Sequence, residues 1–306
     1  MKAQKLTYAN NADWLQGRAG KIGGSTIATL LGLDKYRTPL QVYYDLTGQS
    51  EPAAENKYTI AGHRLERVVA DYFTEASGAM LISGSEADVT YVHPEYDYLI
   101  GSPDREYVAA DGRDAILECK TTQFEVDDES ELFQKWYCQL QWYLMLTGYR
   151  SGAIAWLSRG VDFGYREFEA NDDVQQHLLR TAVEFWTRHV VPRVEPEPAT
   201  VADLLKRYRK ATGLAGECDE TLYRAILQLK EARERLKTEQ TRLKELEEFV
   251  KLSFGANEEM LYQEVPVASF RFSETRRVDT DRLKRLYPEV YNDVLRASTV
   301  RTLRLK

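Results

Sequence analysis

The sequence predicts an α/β chain with a mixed central β-sheet flanked by helices. Three observations carry that prediction. Helical apolar patterns run through the N-terminal part, short β-rich runs with turn signals follow between 87 and 120, and one helix then separates two further strands.

Taken in order, Trp14-Leu15-Gln16-Gly17-Arg18 leads into Ile22-Gly23-Gly24-Ser25-Thr26, after which Ile27, Leu30 and Leu31 mark a helix stopped by Gly32. Pro39, placed after Thr38, opens a second helix that closes at Gly48. Residues 62–77 make a third, with Leu65, Val68, Val69, Tyr72 and Phe73 as its inward stripe and Glu66 on the shoulder. Strands are expected at 87–92, 98–100 and 115–120, the last two forming a hairpin across Asp111-Gly112. A helix over 131–147 turns Trp136, Leu140, Tyr143 and Leu144 inward, sets Gln139 on a neighbouring face and stops at Gly148. Strands at 153–157 and 165–168 and a helix over 172–190 complete the core.

Pro192, Pro196 and Pro198 mark a boundary, so a core over 1–192 and an extension over 193–306 are expected. In the extension Leu222, Leu229, Leu236, Leu243 and Val250 recur every seven residues, with Ala225, Ala232 and Leu246 between them. Glu239 and Ser253 interrupt that seam, which favours a long helix packed on its own domain over a free coiled coil. A hairpin over 265–272, a helix over 279–295 and a last strand ending Arg301-Thr302-Leu303-Arg304 follow.

Composition narrows the function classes. With 43% hydrophobic residues, the 306-residue chain can bury a real core. No run suits a bilayer crossing, and residues 1–5 lack the apolar segment of a signal peptide, so a cytoplasmic location is expected. Cys119, Cys138 and Cys218 are widely spaced without a CxxC pair, which argues against a disulfide framework and against zinc or iron–sulfur centres. The net charge of −7 hides an asymmetry. Residues 271–306 carry ten Lys/Arg against five Asp/Glu, or +5, and the remainder carries −12. An acidic body can still bind DNA when cations line the channel, because charge reaches only about 8 Å at physiological salt.

The chemistry concentrates in Gly101-Ser102-Pro103-Asp104 and, after thirteen intervening residues, Glu118-Cys119-Lys120 at the end of the apolar run Ala115-Ile116-Leu117. Side chains alternate along a strand, so Glu118 and Lys120 share one face while Cys119 points into the other layer. An acid, a glutamate and a lysine gathered at a strand end suit a hard divalent cation, Mg²⁺ or Mn²⁺, to which the backbone carbonyl of Cys119 can add an oxygen. Phosphodiester hydrolysis needs this set, because charge on the phosphate must be neutralised and hydroxide formed near neutral pH.

With Trp14-Leu-Gln-Gly-Arg18, Ile22-Gly-Gly-Ser25, Gly62-His-Arg-Leu-Glu66, Gly101-Ser-Pro-Asp104, Glu118-Cys-Lys120 and Gln139-Leu-Gln141 in this order, the chain resembles the YqaJ-type viral recombinases. These are relatives of the phage lambda exonuclease in the PD-(D/E)XK nuclease superfamily. The likeness covers about residues 10 to 160, and the segment from Leu243 through Lys306 is similar to an extension found on many bacterial and prophage members.

The resemblance implies a restriction-endonuclease-like core with a C-terminal helical and hairpin extension. It makes Asp104 and Glu118 metal ligands, with Glu66 a further acidic ligand and the Cys119 carbonyl beside them. Lys120 orients or activates the attacking water, and Gln139 supports the site. Arg18, Ser25 and Ser102 match residues that hold the 5′-phosphate of a DNA end. Arg105, where relatives often carry Gly or Ala, and the long 104–118 connection depart from the simplest pattern.

The implied activity is Mg²⁺-dependent digestion of duplex DNA from a 5′ end, leaving 3′ single strands for recombination in a bacterial cell that carries the phage or prophage. The implied partners are duplex DNA ends, a single-strand annealing protein and further copies of the chain. The lambda-type trimer ring is one such arrangement.

Read alone, each residue keeps a plainer role: Glu66 a solvated helix flank, Ser25 an N-cap, Gln139 a cap for core polar groups, His63 a structural side chain. The rival functions are a Cas4-type or RecB-type nuclease and a non-catalytic DNA-end-binding or assembly protein on the same fold. Three scattered cysteines and the lack of a GxxxxGK[ST] loop weigh against the first, and an intact Asp104, Glu118 and Lys120 against the second.

Overall fold

A computed structural model describes residues 3–50, 56–82, 89–210, 212–296 and 301–305. The chain forms two compact units, Met1–Arg209 and Lys210–Lys306. The division comes later than the 192/193 boundary expected from the prolines. Glu195 accepts from the Tyr44 hydroxyl at 3.0 Å and Asp203 from the Thr38 hydroxyl at 2.9 Å, tying the segment after 192 to the first unit.

That unit begins with strand β1 (Gln4–Thr7) and helix α1 (Asn11–Arg18), neither of which the sequence pattern announces. The side chain of Asn10 caps α1 by accepting from the N–H of Asp13. Helices α2 (Gly24–Leu30) and α3 (Pro39–Leu46) lie where expected, α3 behind a reciprocal cap between Thr38 and Gln41. Helix α4 (Lys57–Ser77) starts earlier than position 62 because Asn56 accepts from the N–H groups of both Tyr58 and Thr59. Then come β2 (Met80–Leu81), β3 (Val89–Val92), β4 (Ile100–Gly101), β5 (Arg105–Val108) and β6 (Asp114–Thr122). Positions 87 and 88 of the expected strand lie outside the described residues. Helix α5 (Glu131–Thr147), strands β7 (Ser151–Ser158) and β8 (Asp162–Glu169), helix α6 (Asp172–Phe185) with a π-turn over Trp186–Val190, and α7 (Val201–Arg207) complete the unit.

The main sheet has the order β2-β5-β6-β7-β8. It is antiparallel throughout except for the β6–β7 pair, which α5 connects. It is therefore mixed, as expected. Alternation along β6 sorts the core. Ala115 and Leu117 pack with Val69, Ala70 and Phe73 of α4, whereas Ile116 joins Leu140 and Leu144 of α5 on the opposite face. Continued two residues at a time, that rule sends Glu118 and Lys120 to the α5 side.

The expected hairpin is placed differently. The partner of β6 is β5, with Arg105 opposite Leu117, while Ile100 and Gly101 pair with β3 in a separate β1-β3-β4 sheet. Pro103 has no N–H for a ladder, so it breaks the run between the two sheets. Strand β5 is disguised by charge. Glu106 is 5% exposed and accepts hydrogen bonds from Tyr91 (2.6 Å), Tyr149 (2.8 Å) and Lys5 (2.9 Å), which join the two sheets.

Burial alone would raise the Glu106 pKa, but the bonds from Tyr91, Lys5 and Tyr149 prevail and hold it below the ordinary value. A lowered folded pKa stabilises the fold above the unfolded glutamate pKa of about 4.3, and that stability is lost as pH falls through the lower folded value. Glu106→Gln is therefore expected to cost about 2 kcal/mol at pH 7 and progressively less below pH ~4. Urea midpoints across that range check it, and a gap that stays constant down to acid pH would refute it.

The second unit contains α8 (Glu220–Phe254), a hairpin of β9 (Glu259–Tyr262) and β10 (Val265–Ser269), and two short helices, α9 (Thr280–Leu286) and α10 (Pro288–Val294). The single helix expected over 279–295 is split at Pro288, which cannot continue the hydrogen-bond ladder. The expected packing of the heptad seam is absent. Leu222, Leu229, Leu236, Leu243, Leu246 and Val250 are all exposed, and Phe254 is the buried residue of α8. With Ala225, Ala232, Glu239 and Ser253 at the intervening seam positions, the stripe is too thin to bury against its own unit. Residues 301–304 are not in a strand, and 297–300 of the same expected element lie outside the described residues. No helix among the described residues is long and apolar enough to cross a membrane.

Candidate active site

The C-terminal end of β6 forms the floor of a cavity of about 570 Å³. Glu118, 1% exposed, and Lys120 project from it toward α5, where Gln139 meets both. The Lys120 Nζ donates to Glu118 Oε1 at 2.5 Å and to Gln139 Oε1 at 2.9 Å. The Gln139 amide nitrogen donates in turn to Glu118 Oε1 at 2.7 Å and to the Tyr143 hydroxyl at 2.9 Å. The three polar groups thus close a ring, with Tyr143 locking the amide. Tyr143 can stand there because two glycines make room: a Cβ on Gly24 would lie 2.7 Å from its ring, and one on Gly101 2.8 Å.

Asp104 lies on the turn between the two sheets, just before β5. Its Oδ2 accepts from the backbone N–H of Cys119 at 2.7 Å, which fixes the carboxylate beside the strand end. In an extended strand a residue's N–H and C=O leave along the same edge, so the Cys119 carbonyl faces the same side as Asp104. Glu66 enters from α4, where its Oε1 is paired with the guanidinium of Arg105.

The rim is basic and hydroxylated. Arg18 sits over the ring of Trp14 with its central carbon 4.2 Å from the centroid, one helical turn along α1. Ser102 is held by the Thr90 hydroxyl at 2.9 Å. Ser25 is exposed at the second position of α2, and the N-cap is Gly23, so the plain N-cap reading of Ser25 is not what the helix shows.

Electrostatics in this cavity are unbalanced. Burial raises the Asp104 pKa well above its ordinary value, and repulsion from Glu118 adds to it. Burial also raises Glu118, against the opposing pull of Lys120. Burial works to lower Lys120, but Glu118 and Asp104 together outweigh it and keep the ammonium form. Glu118 Oε2 is buried with no hydrogen-bond partner.

Two repelling carboxylates with an unsatisfied oxygen form a donor set that fits a hard divalent cation. Among the described residues no three His, Cys, Asp or Glu side chains are gathered into a ready-made cage, so the fit rests on Asp104, Glu118 and backbone oxygen.

All nine residues singled out from the sequence, namely Arg18, Ser25, Glu66, Ser102, Asp104, Glu118, Cys119, Lys120 and Gln139, line this one cavity. Trp14, Arg105 and Tyr143 line it too and were not singled out as site residues. The signal for Trp14 was its i,i+4 spacing from Arg18, and for Tyr143 its i,i+4 spacing from Gln139. Arg105 stood out only as a departure from the family pattern.

A family model described as the YqaJ-like viral recombinase domain matches residues 13–150. The protein YqaJ of Bacillus subtilis (strain 168) is 31% identical over 327 aligned positions, which span 99% of this chain and 96% of that protein. Among solved structures, an alkaline exonuclease from Laribacter hongkongensis aligns at 16% identity with a TM-score of 0.47, covering 65% of this chain and 98% of that one. A phage-related exonuclease from Haemophilus somnus 129PT aligns at 15% identity with a TM-score of 0.40, covering 55% and 94%. The mixed sheet carries the acid and the Glu-x-Lys motif at one end, within the α/β architecture that the sequence leads one to expect. Because the Bacillus relative matches nearly end to end, C-terminal extension included, the chain belongs to the YqaJ-like viral recombinase family.

Proposed function

We propose that the chain is a metal-dependent exonuclease of phage or prophage recombination that digests duplex DNA from a 5′ end and leaves a 3′ single strand. The observation that carries this reading is the bonded cluster of Glu118, Lys120 and Gln139 beside Asp104, in a cavity whose rim holds Arg18, Ser25 and Ser102.

Asp104, Glu118 and the carbonyl of Cys119 would hold Mg²⁺, or Mn²⁺ in its place, while Glu66 stands on α4 paired with Arg105. When bound, the ion supplies positive charge against the scissile phosphate and makes hydroxide accessible near neutral pH. Lys120, kept protonated by its carboxylate neighbours, holds the attacking water and adds charge where the phosphorane forms. Gln139 fixes the ammonium so that this charge needs no reorganisation during the reaction. The water oxygen bonds to phosphorus as the bond to the departing nucleotide's 3′-oxygen breaks, and that oxygen takes up a proton.

Arg18 can grip the terminal phosphate with two parallel N–H groups, flanked by the hydroxyls of Ser25 and Ser102. That pocket is what orients the enzyme toward 5′ ends. The product suits a single-strand annealing protein as the next partner, and a ring of identical chains would keep the duplex captive.

Digestion of duplexes labelled at either end, with and without Mg²⁺, tests the reading. A 5′ label should leave first as mononucleotide, only with the metal present. Release of a 3′ label first, internal fragments, or metal-independent cleavage would reject it. Arg18→Ala is expected to erase most of the preference for 5′-phosphorylated over 5′-hydroxyl ends, about 10-fold or more, since a charge-assisted hydrogen bond contributes roughly 1.5–3 kcal/mol. Equal loss on both kinds of end would remove the residue from the phosphate pocket.

A further inference from the structure

Arg105 is the feature of the cavity that neither the family pattern nor the proposed chemistry has absorbed. It is the first residue of β5, opposite Leu117, and residues opposite each other on antiparallel strands share a face. That places its side chain on the α4 side of the sheet, with Glu66, while Glu118 and Lys120 lie on the α5 side. The side chain is only 14% exposed. Its Nη1 serves both Glu66 Oε1 and the backbone carbonyl of Asp104, the latter at 2.5 Å. Among the described residues Nη1 makes all of its hydrogen bonds, so Nε and Nη2 are left for a further acceptor.

Glu66, Asp104 and Glu118 face Lys120 and Arg105 across one cavity, which leaves one net negative charge among these five side chains. One divalent cation together with one scissile phosphodiester brings that set to neutrality. A second divalent cation would leave two positive charges uncompensated in a half-buried site, a costly state. Many phosphoryl-transfer sites use two ions about 3.5–4 Å apart for the attacking and leaving oxygens. Here the third carboxylate of the cavity, Glu66, is already bonded to a side-chain cation.

We infer that Arg105 is the second cation of this site. The chain works with a single divalent ion held by Asp104 and Glu118, while Arg105 presents Nε and Nη2 to the non-bridging oxygens of the scissile phosphate. Glu66 is then the positioning residue for Arg105, in place of the ligand role implied by the resemblance. The inference rests on the reading of the cavity as a phosphodiester hydrolase.

Titration of the DNA-free full-length protein with Mn²⁺, read by the electron paramagnetic resonance of the free ion, tests it without reference to activity. The parent protein is expected to bind one ion per chain, and two ions of similar affinity would overturn the inference. Arg105→Ala frees Glu66 and should raise the count to two, and Arg105→Ala combined with Glu66→Gln should return it to one. An unchanged count in the single variant, or two ions in the double, would also overturn it. Turnover of Arg105→Ala should fall about 100-fold, the usual loss when one preorganised donor is removed from a transition state. One ion bound without Mg²⁺-dependent cleavage would overturn the nuclease reading, and Arg105's role with it. Normal cleavage with two ions bound to the parent would overturn the role of Arg105 alone.

Discussion

Asp104→Asn is expected to cut cleavage of duplex DNA by about 10³-fold while raising the melting temperature of the metal-free protein. The first effect follows from the charge the carboxylate would bring to the metal. Losing several kcal/mol of transition-state stabilisation, at about 1.4 kcal/mol per decade, accounts for a loss of that size. The second follows from the environment of the side chain. Burial and the repulsion of Glu118 push the Asp104 pKa up, so ionising this side chain in the metal-free protein works against the fold. Asparagine keeps an oxygen for the N–H of Cys119 and discards that charge. Stability and activity thus move in opposite directions at this position, as they do where a fold sustains strain for function. Calorimetric melting beside a cleavage assay checks both, and a variant that is less stable, or that cleaves within tenfold of the parent, would contradict the placement of Asp104 as a strained ligand.

Much of this arrangement could be read from the sequence, for reasons that differ by element. Helix α5 emerges with its expected bounds because an amphipathic stripe, the Ser130 cap and Gly148 agree about it. The faces of β6 follow from alternation alone, which is why Glu118 and Lys120 were legible as a pair. Strand β5 was not, because two of its four residues are charged and Glu106 is buried only by virtue of distant partners in β1, β3 and the loop after α5. Those partners have no local signature. The α8 seam misled in the other direction: a heptad spacing reports which residues share a stripe, and says nothing of whether anything covers it. In the site, the motif residues were legible through their order along the chain. Arg105 and Tyr143 take their meaning from contacts with Glu66 and Gln139 that only the folded chain creates.

Lys120→Ala is expected to abolish cleavage, again by about 10³-fold or more, and unlike the change at Asp104 it should destabilise the protein. Lys120 is the direct ion-pair partner of Glu118, whose side chain is 1% exposed and whose Oε2 is already without a hydrogen bond. Deleting one member of a buried pair strands the other, at a typical cost of about 3–5 kcal/mol. The lower part of that range is expected, because Gln139 still donates to Glu118 and the carboxyl can take up a proton instead. The cost belongs to the stranded charge and not to the lost side chain. Combining Lys120→Ala with Glu118→Gln should therefore recover most of the stability while recovering none of the activity. Urea unfolding of the two single variants and the double yields the coupling between the sites, which should exceed about 1 kcal/mol. A Lys120→Ala protein as stable as the parent, or a double variant no better than the single, would mean that the pair is not what balances the floor of the cavity.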